Sequence, residues 1–572
     1  MSGNCCIRQV AVYALLAALM MTAGCQRLTR NRAVWYPPKL ARPHLLVTHK
    51  DPVLATAESV YTRAVRSQRQ SEAICVDFYF QAATLALPEV ERQLCESGQA
   101  SGRAAELYRS ALTRLIETGQ RFGRLDPACG LKIRTPEGSS LIPAIHNGFV
   151  WSADDFDQLI SAGKYNSSFL SKAYGCHGHG VSAVVVRCRR PGEMYRRREQ
   201  PFSATVVLRS TTHDDGAALP FVLEISNPVT MDSTSVCGQS VPLQRDITAS
   251  FAWELSRVDK SYTKQILEPY STNQNTGLFM TEPYQPGKIP LVLVHGLFSD
   301  RYTWANIENE IRARPELWER YQIWGFEYAT PEPFMVSAAR FRRQLCEVQQ
   351  DMDPQGMDPA LSNMVLVGHS LGGVMSRLQV THSGSCAWDA VSRLPLDEIF
   401  TTPERREWLR ELFFFEPAPQ VSRIVMMGTP HRGSPWADRP IGRLASDKLE
   451  ESPAIATLRR RLIADNPGVF SNEFQQRTPN TIDLLEPGST LLQAIDRLPQ
   501  SSGVQAHSII GTGYWLPHNG NSDLIVPVSS AQRQETVTER QVRGFHGQLK
   551  RNEESLEELF CILRQHLMGL GL

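Results

Sequence analysis

The sequence has almost no net charge: 60 Lys and Arg against 59 Asp and Glu leave +1 over 572 residues. That balance excludes nucleic acid or another polyanion held by bulk electrostatics, and the local basic run Tyr195-Arg-Arg-Arg198 reads as a solvated loop. Cysteine is sparse and dispersed, 12 positions in all, which excludes a scaffold built from disulfides. A standard zinc spacing is missing too. Cys176-His177-Gly-His179 with Cys188 further on matches none, and glycines around a short turn suffice to explain it, so no metal is expected. A solenoid is excluded because only two imperfect copies of one pattern occur, Ala57-Glu-Ser-Val-Tyr61-x-x-Ala64 and Ala105-Glu106-Leu107-Tyr108-x-x-Ala111, where about three are needed.

What is present is a globular composition, 42% hydrophobic and 21% charged, over a length that implies two or three domains. The most apolar run, Val10 to Met21, has 12 residues, too few for a bilayer core, which takes about 20. With Arg8 before it and Thr22-Ala23-Gly24-Cys25 after it, the segment resembles a bacterial lipoprotein signal. That resemblance implies removal of residues 1–24 and lipid attachment at Cys25. Gln26, rather than Asp, implies the outer membrane of a two-membrane envelope. A plain secretory signal or a short uncleaved anchor is the alternative. Nine cysteines then remain, at 75, 95, 129, 176, 188, 237, 346, 386 and 561, and an odd number leaves at least one unpaired.

Residues 25–50 are rich in Arg and Pro and read as a tether. Residues 51–125 carry helical periodicity, and residues 126–264 turn to β-branched runs such as Val181–Val186, Ser203–Leu208 and Pro220–Ile225, separated by turn residues. This front half is a candidate surface for a protein partner. Residues 265–288, with Pro269, Pro283, Pro286 and Gly287, read as a linker. From residue 289 to 572 buried strands alternate with helices, the signature of a mostly parallel sheet covered on both faces, with an insertion at about 431–505. The insertion is long for a simple connection, and both a moving lid and static packing fit it.

The chemistry concentrates in Met364-Val-Leu-Val-Gly-His-Ser-Leu-Gly-Gly373. A short apolar strand breaks into Gly-x-Ser-x-Gly and then into a helical pattern, the context in which the serine stands on a sharp strand-to-helix turn. Ser370 is the candidate nucleophile, at a helix start where free N–H groups favour developing negative charge. Two N–H donors are needed for an oxyanion, and Leu371 and Leu297, the latter in His295-Gly296-Leu297-Phe298, are the candidates. An acid and then a histidine should follow. Asp523 ends a polar turn beyond the strand His507–Ile510, and His546 follows the strand Thr538–Val542 in Arg543-Gly-Phe-His-Gly547. Each candidate closes a strand at the carboxyl-end edge, where open α/β sheets hold their sites. The rivals are His431 in Gly428-Thr-Pro-His-Arg-Gly-Ser434, and Asp483 with His507 or His518; His295 suits loop shaping.

These motifs together, with Asp523-x-x-Val-Pro-Val-Ser-Ser530, resemble the α/β-hydrolase lipase/esterase superfamily, nearest to bacterial triacylglycerol lipases and GPI inositol-deacylase-like proteins. The resemblance covers about residues 285–570 and implies an α/β-hydrolase fold in which Ser370 is the nucleophile, Asp523 the acid and His546 the base. It implies cleavage of an ester or lipid substrate through an acyl-enzyme, without cofactor. Leu524 stands where that family more often has glycine. An acyltransferase using the same three residues, or a non-catalytic envelope scaffold, is the competing reading.

Overall fold

The computed structural model describes residues 51–136, 138–165, 170–211, 219–257, 276–329, 332–437, 453–476, 478 and 480–572. The expected signal, Cys25 and the tether lie outside these residues. The chain divides into two compact units, the first within residues 31–258 and the second including residues 316–572.

In the first unit, helices Pro52–Arg69, Cys75–Ser97 and Gly102–Arg121 pack in succession. Their small and large apolar residues face inward: Ala57, Val60, Tyr61 and Ala64 on one helix, Ala105, Leu107, Tyr108 and Ala111 on another, all buried. The two sequence copies therefore mark helix faces that meet a shared core. A seven-stranded sheet follows, antiparallel except where Gly138–Asn147 runs parallel to Phe221–Ser226. Its long strand Glu199–Ser210 outruns its neighbour, whose pairing stops at Val206. The hydroxyl of Tyr108 takes over there, donating to Leu208 O and accepting from Leu208 N, each at 2.9 Å, so both buried backbone groups are satisfied. Cys95 and Cys237 form a disulfide, and the other seven of the nine cysteines are free. His179 is buried and stacked on Tyr108 with ring centroids 5.6 Å apart, and burial pushes its pKa down to about 4. Cys176 sits in a two-residue strand paired with Arg245–Asp246.

The second unit is built on a sheet of seven strands: β1 (Gly277–Met280), β2 (Ile289–Val294), β3 (Tyr321–Glu327), β4 (Met364–His369), β5 (Val421–Met427), β6 (Gln505–Thr512) and β7 (Thr538–Arg543). Their order is β1-β3-β2-β4-β5-β6-β7, and all pairs are parallel except β1 with β3. Every residue of β2 and β4 is buried, as continuous apolar runs in a doubly covered parallel sheet require. Register pairs Val294 with Gly368, His369 with Met427, Met427 with Ile509 and Thr512 with Arg543. The carboxyl ends therefore finish along one edge.

Two expectations need correction. The expected linker holds a strand, because β1 supplies an antiparallel edge to β3; its Leu-Phe-Met run is too short to show a period. Asp523 does not follow β6 directly: a hairpin of Tyr514–Leu516 and Gly520–Ser522 stands between them. The insertion contains helices Pro453–Asp465, Asn472–Gln476, Thr481–Leu484 and Thr490–Arg497.

Candidate active site

Ser370 joins β4 to the helix Leu371–Leu378 with φ 57° and ψ −125°, a combination a side-chain-bearing residue adopts only where its surroundings impose it. What imposes it is close packing at the turn. A Cβ at Gly368 would run into the carbonyl of Gly372, and one at Gly372 would run into the carbonyl of Val294. The Ser370 N–H donates to Met427 O on β5 at 2.8 Å, which pins the elbow to the neighbouring strand.

Asp523 is 1% exposed. Its Oδ2 accepts from His546 Nδ1 at 2.7 Å, and its Oδ1 accepts the N–H groups of Ile525 and Val526 at 3.0 and 2.7 Å. His546 N–H also donates to Asp523 O at 3.0 Å. A carboxylate only accepts, so His546 carries its proton on Nδ1 and turns the lone pair of Nε2 away from Asp523. Gly428, with φ 57°, leaves room for the pair: a Cβ there would lie 3.2 Å from His546 Nδ1 and 3.3 Å from Asp523 Oδ2. Leu524 has φ 76°, the left-handed conformation that explains why glycine suits this position.

Leu371 N–H opens the helix after Ser370. Leu297 follows Gly296, which packs on the elbow so tightly that a Cβ would lie 2.9 Å from Ser370 Cβ and 3.0 Å from His369 O. His295 shapes this loop. Its Nδ1–H donates to Gly296 O at 2.9 Å, its Nε2 accepts from Tyr328 N at 3.2 Å, and its ring stacks on Tyr328 at 4.3 Å. Among the described residues, neither the Ser370 hydroxyl nor His546 Nε2 takes part in a hydrogen bond, and Ser370 is buried.

The rivals stand elsewhere. His431 is buried, its ring nitrogens have no partner among the described residues, and burial beside Arg533, Arg377 and Arg432 holds its pKa well below the usual histidine value. Asp483 accepts from Asn480 N at 3.1 Å as a helix cap. His507 lies within β6, between Arg423 Nη1 at 2.7 Å and Thr538 Oγ1 at 2.8 Å, and His518 turns the hairpin at φ 67°.

Three residues at or near this edge carry no signal in the sequence. His369 Nε2 contacts His546 O at 2.9 Å, with the rings 4.7 Å apart. Lys550 Nζ lies 3.2 Å from His369 Nδ1, and burial pushes its pKa down to about 7. Arg377, buried on the elbow helix, donates to Ile495 O and Leu498 O, both at 2.8 Å, and so ties that helix to the insertion.

Residues 291–530 match the model of the alpha/beta hydrolase family. The matched span contains Leu297, Ser370, Leu371 and Asp523 and ends before His546. Among solved structures, the chain is similar to a lipase of Bacillus licheniformis in mature form, at 18% identity over 50% of this chain and 99% of that one, with a TM-score of 0.32. A Staphylococcus hyicus lipase matches at 13% identity over 50% of this chain and 98% of that one, with a TM-score of 0.31. No curated protein matches the chain.

Proposed function

We propose that the chain is an exported serine hydrolase that cleaves carboxylic esters, with acyl lipids as its substrate class. The observation that carries this reading is the 2.7 Å Asp523–His546 pair at the sheet edge that also presents the strained Ser370. In the proposed sequence, His546 Nε2 takes the Ser370 hydroxyl proton as Oγ adds to the ester carbonyl. The N–H groups of Leu297 and Leu371 hold the resulting oxyanion, and Asp523 stabilises the imidazolium. His546 returns the proton to the departing alcohol oxygen, leaving an acyl group on Ser370. A water then gives His546 a proton, adds to the acyl carbonyl and releases the acid, and Ser370 recovers its proton. Protons balance through His546 alone.

The lipid part of the reading rests on the resemblance of the motifs to lipases; an apolar cavity lined by Phe334, Trp408, Leu412, Ile455, Leu458 and Phe474 lies partly against the insertion, with none of Ser370, Asp523 and His546 in its wall. Export is supported by the signal-like segment and by the Cys95–Cys237 disulfide, which suits an oxidising compartment. Anchoring rests on Cys25 as the lipid-attachment residue; no helix among the described residues is long and apolar enough to cross a membrane. The test is p-nitrophenyl ester turnover and fluorophosphonate labelling of wild type and Ser370→Ala. Both are expected to vanish in the variant, and surviving turnover would overturn the assignment. Cys25→Ala should abolish lipid labelling and release the protein from membranes; continued attachment without label would refute the anchor.

A further inference from the structure

His546 is held at its backbone as well as its ring. Its N–H donates to Asp523 O at 3.0 Å, and its C=O meets His369 Nε2 at 2.9 Å. The second contact stabilises only if His369 carries its proton on Nε2, because a carbonyl cannot donate. A neutral imidazole has one N–H and two places to put it. Lys550 settles the choice. An ammonium placed 3.2 Å from His369 Nδ1 can only donate to that nitrogen and so disfavours a proton there. His369 is buried and held neutral, its pKa pushed well down by burial, then by Lys550 and His546, so the tautomer is the variable that remains.

Lys550 is itself buried, an expensive place for an amine that does no more than fill space. The charged groups acting on it are Arg551 on its own turn and Asp300 on the loop after β2. It therefore sits where the Leu297 loop, the Ser370 elbow and the His546 turn converge.

We propose that Lys550 is a positioning residue for His546, acting through the His369 ring. Lys550 fixes the Nε2–H tautomer of His369, and that N–H fixes the His546 carbonyl and with it the placement of the imidazole. Without Lys550 the Nδ1–H tautomer becomes accessible, and the His369 lone pair then faces the carbonyl lone pairs. Small displacements of a catalytic base are costly, up to about a hundredfold for an ångström.

This inference rests on the proposed ester hydrolysis, and Ser370→Ala measured alongside separates the two. His369→Leu removes both hydrogen bonds, whereas His369→Gln keeps an oxygen to accept from Lys550 and an amide to donate to His546. Expected for p-nitrophenyl butyrate are a kcat lowered about tenfold by His369→Leu and by Lys550→Met, with KM within about twofold, and His369→Gln within about threefold of wild type. The double variant Lys550→Met/His369→Leu should lose no more than either change alone, because the two act as one unit. A role in packing alone predicts that Leu and Gln behave alike and that the two changes add; either result overturns the proposal. Unchanged kcat in His369→Leu with an inactive Ser370→Ala overturns the relay alone, while turnover surviving in Ser370→Ala overturns the reading beneath it. Should Lys550→Met not fold by circular dichroism, His369→Gln against His369→Leu decides, since only the former offers Lys550 an acceptor.

Discussion

The two seven-stranded sheets of this chain differ in one respect that decides where chemistry can assemble. In the first unit, antiparallel neighbours such as Val181–Cys188 and Glu199–Ser210 send successive loops to opposite ends. Its buried polar groups, such as Tyr108 on Leu208, satisfy backbone within the sheet. In the second unit, β2, β4, β5, β6 and β7 all run in one direction. The connections that leave their carboxyl ends carry Leu297, Ser370, Thr429, Asp523 and His546, and bring them toward one edge although they are far apart in sequence. A parallel sheet gathers loops by topology, and an antiparallel one distributes them.

The largest effect that would break this contrast lies in catalysis. Ser370→Ala and His546→Ala should each cut ester turnover by about 10⁴-fold or more, and the double variant should lose little beyond either one. His431→Ala, which sits in a buried loop rather than on Asp523, should cost roughly tenfold. Kinetics with a fluorogenic ester reads all four, and collapse in His431→Ala alone, with the fold intact, would reassign the base.

Acid should separate the units next. The second unit buries His295, His369, His431, His507 and His566 with pKa values pushed below 6.5, His507 and His566 to about 4. Among the described residues, the first unit has one such group, His179. A depressed histidine is neutral when folded and protonated when unfolded, so its contribution is complete above pH 6.5 and is lost as pH falls toward the folded value. The slope is at most roughly 1.4 kcal/mol per pH unit for each group. Between pH 6.5 and 4 the second unit should therefore become protease-sensitive first; earlier cleavage within residues 51–257 would contradict this.

Removing the disulfide should do the reverse. Cys95→Ser with Cys237→Ser is expected to destabilise the first unit by about 2–4 kcal/mol and leave kcat unchanged, as thermal melting and ester kinetics would show. The smallest effect is at Leu524. Its left-handed backbone is strained by about 1–2 kcal/mol, so Leu524→Gly should raise stability by about 1 kcal/mol or less, the rest being offset by glycine's entropy in the unfolded chain. A loss of stability would show that the leucine side chain contributes more than its strain costs.

The central strands of the second unit were readable because double burial leaves an unbroken apolar run, as in Ile289–Val294 and Met364–Val367. The elbow was readable because a tight turn restricts its residue types to Gly-x-Ser-x-Gly. Asp523 and His546, now 2.7 Å apart, could be picked by their order after Ser370 and their places beyond strands. Edge strand β1 was not readable, since four residues carry no periodicity. Nor were Lys550 and Arg377, because in sequence a buried cation looks like a surface one; only tertiary packing sets them apart.

The location of His546, 177 residues beyond His369, has a consequence for biogenesis. When the elbow emerges from the ribosome, β7 and the turn that bears His546 have not been made. On the proposed mechanism, Ser370 would have no base until they dock beside β6, and would be as unreactive as any surface serine. A nascent chain bound for a lipid envelope, as proposed here, would thus pass among ester-containing molecules in a latent form. Its proposed activity would begin with the completion of the fold.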